Sequence, residues 1–440
     1  MTSGLLTDLY QLTMAAGYWR AGKAAEVAVF ELFIRHMPPN RNFLIAAGLQ
    51  QAADYLLNLK FAEDEIAYLR SLPQFATVDA GFFDALRSWR FTGDLFAVRE
   101  GTPIFPNEPL LTLRAPLIEA QLPETYLLST LGFQTMIASK AARSVDAAAG
   151  RSVVEFGTRR AHSPEAGVLA GRAAYIGGCQ GTSNTLAGFR YSIPVFGTAA
   201  HSWVLSFPSE VEAFRRLQEL LGPATVHLID TFDTLEGARR AAALGQPFWG
   251  VRLDSGNLIE LSRAVRTILD EAGHREAKIM ATGDLNEHKI LELVAAGAPI
   301  DSFGVGTELA TSIDAPSHGG VYKLVEVRAG GERRYVAKLS ADKATIPGAK
   351  QVFRYPRHDL LARSSESHPD AHSALLEPVI LHGELVQPLP SATEARDWAR
   401  TSLDRMPKRL RTLFECDPPW PVEVSHDLQL LAAEVRETAR

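Results

Sequence analysis

Cysteine is scarce in this chain of 440 residues: only Cys179 and Cys416 occur, far apart and in no CxxC spacing. A disulfide framework is not expected, and a reducing, cytoplasmic setting is. A basic surplus is lacking as well. Lys and Arg total 45 against 51 Asp and Glu, a formal charge of −6, so nothing points to a nucleic-acid partner, and an anionic ligand must be held by local groups. The N-terminal "MTSGLLTDLYQLTMAAGYWRAG" has neither a basic leader region nor a sustained apolar stretch, so neither a signal peptide nor a membrane-spanning helix is expected. Walker A, kinase, Rossmann GxGxxG, GxSxG and HExxH motifs are all missing. Nucleotide chemistry here would need an unconventional phosphate site.

What is present is the composition of a globular protein, 46% hydrophobic and 22% charged, at a length that suggests two domains or one large barrel with additions. Leu5, Leu9, Leu12 and Ala16 predict a helix over 5–22, "EVAVFELFI" a strand over 26–34, and the pattern over 44–59 a second helix. Residues 91–113 read as a small antiparallel unit, followed by a helix-rich stretch to about 149. The middle of the chain differs. Six apolar runs close on small or polar residues: 153–160, 193–202, 225–233, 248–257, 278–286 and 302–310. Helical patterns separate them at 211–221, 234–244, 258–272 and 286–296. This alternation argues for parallel βα units, in a barrel more than in an open doubly wound sheet, with the polar strand tails gathered at one mouth. Strand and loop return after 323–325, and Leu428, Leu431 and Val435 space a final helix.

The strand tails supply Arg159, Arg160, His162, Thr198, His201, Asp230, Asp233, Arg252, Asp254, Gly283, Asp284, Gly304, Gly306, Thr307 and Glu308. "ATGDLNE" and "GVGTELA" bring glycines to the start of helices, where backbone N–H groups suit a phosphate. Arg252 and Asp254, two residues apart on a strand end, share a face. They could take a carboxylate and a ribose diol or magnesium, or form an internal ion pair. Asp233 reads as a helix cap. His201 could be a hydrogen-bonded structural residue, a base, or a nucleophile toward a phosphoryl group.

Together, "TDLYQLTMAAGYWRAG" (7–22), "FELFIRHMP" (30–38), "EFGTRRAHSPEAG" (155–167), "GTSNTLAG" (181–188), "IPVFGTAAHSW" (193–203), "GVRLDSGNL" (250–258), "FGVGTEL" (303–309), "GGVYKLV" (319–325) and "KLSADKATIPGAKQV" (338–352) resemble the nicotinate phosphoribosyltransferase family. The motifs run in order over all but the last 80 or so residues.

The resemblance implies an α/β fold: an incomplete (β/α) barrel with a second α+β domain built from N-terminal and C-terminal segments. The chain would divide into 1–148, a barrel-like unit over 149–325, and a returning segment over 326–440. It implies a homodimer with shared sites, and transfer of phosphoribosyl from phosphoribosyl pyrophosphate to nicotinate with ATP as co-substrate and Mg²⁺. His201 would be the phosphorylated histidine. Thr198, Arg252 and a ring-stacking Tyr10 from the partner subunit would hold nicotinate. Asp254 would bind the ribose hydroxyls. Gly283, Asp284, Gly304, Gly306 and Thr307 would form the phosphate end, with Arg159 as a pyrophosphate contact. Ser183 stands where amide-using relatives carry an aspartate, which would repel the nicotinate carboxylate. Asn257 departs from the common DSGD, which weakens a magnesium ligand there, and the metal ligands stay unassigned. Two other readings remain at this point: a quinolinate phosphoribosyltransferase-like enzyme, and a non-catalytic paralogue that binds phosphoribosyl ligands.

Overall fold

The computed structural model describes residues 3–438. In chain order, β1 (Val27–Ile34), β2 (Asp94–Val98) and β3 (Pro109–Pro116) come first. Next are β4 (Ser152–Glu155), β5 (Val226–Leu228), β6 (Gly250–Leu253), β7 (Lys278–Ala281) and β8 (Ser302–Val305). Then follow β9 (Gly320–Ala329), β10 (Glu332–Tyr335), β11 (Lys350–Arg354), β12 (Asp359–Arg363) and β13 (Leu376–Leu381). Two sheets organise the molecule. A seven-stranded antiparallel sheet runs β10-β9-β1-β3-β2-β13, ending on the short Glu384–Leu385 strand. It therefore interleaves strands from both ends of the chain. A five-stranded parallel sheet runs β4-β8-β7-β6-β5.

The parallel strands are short, and one face of each is apolar and packed beneath the crossover helices. Val251, Leu253, Ile279, Ala281, Phe303 and Val305 are essentially inaccessible and share one core with Val265, Leu269, Ile290 and Leu293 of the crossover helices. Each of these side chains larger than alanine contributes about 1.5–3 kcal/mol on burial. The helices fall close to the predicted spans: Glu210–Leu221, Thr234–Ala242, Leu258–Glu271 and Glu287–Ala295. Ser209, Asp233, Asn257 and Asn286 cap them through their side chains. The capping role expected of Asp233 is what the structure shows.

Two expectations are corrected. Residues 44–59 are not one helix: Leu44–Ile45 pair with Pro103–Ile104, and only Leu49–Asn58 is helical. Among the described residues "IPVFGTAAHS" contains no strand. Val195 makes a single bridge to Thr182, which bridges Glu155, so 182 and 195 extend the parallel sheet beyond β4 by one rung each. Pro194 occupies a position where a ladder donor is needed, which keeps the rung from growing into a strand.

The halves are tied by a buried ion pair. Arg172, on the helix Pro164–Ile176 against the parallel sheet, grips Glu100 beyond β2 through two bonds of 2.6 and 2.8 Å. Glu100 also accepts the N–H groups of Gly48 and Leu49 at the start of the Leu49–Asn58 helix. Burial acts to raise the Glu100 carboxyl, but Arg172 and these N–H donors outweigh it and hold it below its ordinary range. Removing one partner leaves the other charged and buried. Glu100→Ala is expected to lower stability by about 3–5 kcal/mol, read as an earlier midpoint in urea unfolding followed by circular dichroism.

Candidate active site

The candidate residues converge on the C-terminal ends of the parallel strands, and Arg252 is the hub. Its Nη2 donates to Asp254 Oδ1 at 2.6 Å, its Nε to Thr282 Oγ1 at 2.9 Å, and its Nη1 to Thr198 Oγ1 at 2.8 Å and the Ala199 carbonyl at 3.2 Å. A guanidinium carries five N–H donors, so four are engaged and one N–H of Nη2 is left over. The internal Arg252–Asp254 ion pair left open by the sequence is thus present, with two threonine hydroxyls added. Thr198 follows the rung beyond β4 while Arg252 lies on β6. Their hydrogen bond spans the places of β4, β8 and β7 in the sheet order, so the sheet curves to bring them together.

Asp254 is half-buried. Burial would raise its carboxyl, but hydrogen bonds from Thr282 and Arg252, the Arg252 charge and nearby His201 hold it below the ordinary range. It is a carboxylate throughout the neutral range. Its own N–H donates to Asp230 Oδ2 at 2.9 Å, and Ser255 donates to the same oxygen at 2.7 Å. The second oxygen of Asp230 is buried without a hydrogen-bond partner.

His201 opens the short helix His201–Leu205 with its ring half-exposed. Nδ1 is 3.1 Å from Thr231 Oγ1, and Nε2 is 3.7 Å from Asp254 Oδ2. Thr198, His201, Arg252 and Asp254 therefore form one constellation.

The phosphate-end candidates lie on the neighbouring strand ends. Gly283 has φ +88°, and a Cβ there would stand 2.0 Å from the Asp254 carbonyl oxygen. Asp284 follows at φ +47°, its carbonyl accepting from Lys289 Nζ at 2.7 Å. Gly306 and Thr307 begin the short helix after β8. They sit beside the turn Thr158–Arg160, since a Cβ on Gly157 would meet the Gly306 carbonyl at 2.7 Å. Arg159 and Arg160 are exposed and make no ion pair or hydrogen bond through their side chains with the described residues. Gly304 lies inside β8, where a Cβ would strike the Phe156 ring and Thr282, so its place is one of packing. Ser183 stands beside the end of β4, its N–H on the Glu155 carbonyl at 2.9 Å. Tyr10 is apart from this cluster: exposed on the helix Leu9–Arg20, it lines a groove with Glu124, Leu128 and His318. Asn257 caps the Leu258–Glu271 helix and is engaged there.

Thr282, Thr231 and Asp230 complete the arrangement. Thr282 was not a candidate from the sequence, although "ATGD" at a strand tail carries it.

Ion pairs on the buried Lys140 fix the phosphate-end helices. Glu287, first residue of Glu287–Ala295, binds Lys140 at 2.8 Å and Arg143 at 3.1 Å; Asp314 binds Lys140 at 2.8 Å and Arg41 at 2.7 Å. Lys140 and Arg143 both project from the long helix Glu124–Ala147.

The fold has counterparts among known proteins. The crystal structure of human nicotinic acid phosphoribosyltransferase superposes with a TM-score of 0.85 at 30% identity, covering 98% of this chain and all of that one. A nicotinate-nucleotide pyrophosphorylase structure from Pyrococcus furiosus gives 0.76 at 26% identity, covering 91% of this chain and 95% of that one. Residues 5–132 match the nicotinate phosphoribosyltransferase (NAPRTase) N-terminal domain, and residues 151–354 match the nicotinate phosphoribosyltransferase (NAPRTase) family. A nicotinate phosphoribosyltransferase of Mycobacterium tuberculosis is 46% identical over 433 residues, 96% of this chain and 91% of that protein. One of Bacillus subtilis is 44% identical over 359 residues, 80% of this chain and 72% of that protein. The chain belongs to the nicotinate phosphoribosyltransferase family.

Gly283→Ala tests the architecture of the site. The added methyl must displace the β6 end that carries Asp254, at a strain of about 1–3 kcal/mol. A fall in turnover of about tenfold or more, with only a modest drop in Tm, is expected from steady-state kinetics and thermal unfolding.

Proposed function

We propose that the chain is a nicotinate phosphoribosyltransferase of NAD salvage. Nicotinate, phosphoribosyl pyrophosphate, ATP and water would give nicotinate mononucleotide, pyrophosphate, ADP and phosphate. The observation that carries the reading is the Arg252 hub, which holds Thr198 and Asp254 with His201 beside them. The family relatives at 44–46% identity support the same activity. A quinolinate-type reading has less behind it, since a dicarboxylate calls for more than one firmly held arginine, and Arg159 and Arg160 are exposed. A non-catalytic paralogue would have no use for the His201–Asp254 pair.

In this reading the nicotinate carboxylate takes the spare N–H of Arg252 and displaces the Ala199 carbonyl from Nη1 to complete a two-point contact. Thr198 orients it, and Tyr10 of a partner subunit closes the ring's other face in a homodimer. Asp254 accepts from the ribose hydroxyls. The turns at Gly283–Asp284 and Gly306–Thr307 and the side chain of Arg159 stabilise the leaving pyrophosphate as charge develops at ribose C1. The carboxylate of Asp254 favours the proton on Nε2 of His201. Nδ1 then keeps its lone pair, with the Thr231 hydroxyl donating to it until ATP phosphorylates that nitrogen.

Magnesium, when bound with the pyrophosphate, would neutralise its charge. The unpartnered oxygen of Asp230 suits one such ligand. Among the described residues no group of three His, Cys, Asp or Glu side chains is arranged to hold a metal ion, so substrate oxygens and water would supply the rest.

The parallel sheet and its two extra rungs are read as an incomplete barrel. The chain crosses between the barrel unit and the rest near 148 and 325. No described helix is long and apolar enough to cross a membrane, and a cytoplasmic location is proposed.

Incubation with γ-labelled ATP and both substrates should yield nicotinate mononucleotide and an acid-labile label on the protein. His201→Ala should lose the label and the ATP dependence. Unlabelled protein together with unchanged turnover in His201→Ala would overturn the phosphohistidine. Arg252→Ala should raise KM for nicotinate, and failure of the wild-type chain to make the mononucleotide would overturn the activity. Ser183→Asp places a carboxylate toward the nicotinate carboxylate. It should cut kcat/KM for nicotinate by about a hundredfold relative to nicotinamide, from like-charge repulsion.

A further inference from the structure

Away from the strand ends, a cavity of about 400 Å³ lies between one face of the seven-stranded sheet and the β11–β12 hairpin. None of the residues proposed for the transferase site lines it. Strand alternation puts its charged and polar side chains there: Arg114 on β3, Glu326 and Arg328 on β9, Arg333 and Tyr335 on β10, and Arg363 on β12. Val29 is the register partner of both Arg114 and Glu326, so it forms the floor between them.

The charges do not balance. Arg114 is answered by Asp94 at 2.6 Å and Lys350 by Glu31 at 2.6 Å. Arg328 and Arg333, directly opposite across the hairpin, share the one carboxylate Glu326 at 2.7 and 3.2 Å. Like charges in opposite register are unfavourable unless an anion bridges them. Arg363 has no carboxylate in ion-pair reach among the described residues. Its Nη2 instead donates to the Tyr335 hydroxyl at 2.9 Å, which also accepts from Arg333 at 3.2 Å. Glu366, three residues on, is turned to the Arg363 backbone N–H, Ser425 and His368. Three guanidinium groups thus face one carboxylate, a surplus of two positive charges over a neutral phenol. Val29, Phe96 and Leu376 supply apolar wall beside them.

We infer that this cavity binds a phosphate monoester, its dianion between Arg328, Arg333 and Arg363 and its organic group against Val29, Phe96 and Leu376. Two surplus charges match a phosphate monoester near neutral pH better than a monocarboxylate, and planar guanidinium groups suit phosphate oxygens. The volume falls within the range of small-molecule sites, about 300–1,000 Å³.

Calorimetric titration of the full chain with adenosine 5′-monophosphate tests this. Sub-millimolar binding is expected in the wild type, weakened about tenfold or more in Arg333→Gln/Arg363→Gln. Arg159→Gln, at the phosphate end of the other site, should titrate within about twofold of wild type. Should the double variant not fold, by circular dichroism, Ser364→Glu places a carboxylate on an exposed residue at the cavity lining and should weaken binding similarly. The inference fails if the wild type does not bind, if the variants of the cavity bind like wild type, or if Arg159→Gln alone removes binding.

Discussion

The guanidinium of Arg252 is the constraint on which the candidate site depends. Its N–H fork reaches a carboxylate just past its own strand, a hydroxyl just past β7, and a hydroxyl and a carbonyl in the segment that extends the sheet beyond β4. An ammonium group at this place could not satisfy partners lying in one plane on three sides. Because Thr282 touches both Arg252 and Asp254, the side chains are fixed relative to each other before any ligand arrives. Such pre-organisation is what a reaction driven mainly by alignment and charge stabilisation requires.

Behind this sits a shell of ion pairs. The Glu287–Lys140–Asp314 chain secures the helices that follow β7 and β8, and Arg172–Glu100 joins the parallel sheet's helix layer to the N-terminal portion. Pairs of this kind add little net stability compared with apolar packing, but losing one partner is costly. Their effect is to favour one geometry of the turns at Gly283–Asp284 and Gly306–Thr307.

The parallel strands and their helices were legible because short apolar runs and 3.6-residue periodicity are local signals. So was the shared face of Arg252 and Asp254, which needs only the two-residue period of a strand. The run at 193–202 has the composition of a strand, but whether it pairs depends on what lies beside it, and Pro194 limits it to one rung. The helix expected from 44 begins at 49 because Leu44–Ile45 find a partner 59 residues away, at Pro103–Ile104. Thr282 escaped notice because its role exists only where β6 and β7 lie side by side. The arginine surplus of the sheet cavity was invisible for the same reason: Arg328, Arg333 and Arg363 meet only through strand register. Tyr10 is where the resemblance expects a partner subunit to supply it, and a single chain leaves it on a surface groove.

The interleaved sheet also sets a timetable. β1 is flanked on one side by β3 and on the other by β9, whose residues are made roughly 290 positions later. At about 5–20 residues per second on the ribosome, that interval is roughly 15–60 s. Throughout it, the apolar strand Val27–Ile34 has one edge without its native neighbour, and an open edge of that kind recruits foreign strands. Glu31, destined for Lys350, must likewise wait in water or among solvated groups. Synthesis of this chain therefore calls for protection of its first strand, by a chaperone or by transient cover from its own helices, until the second half emerges.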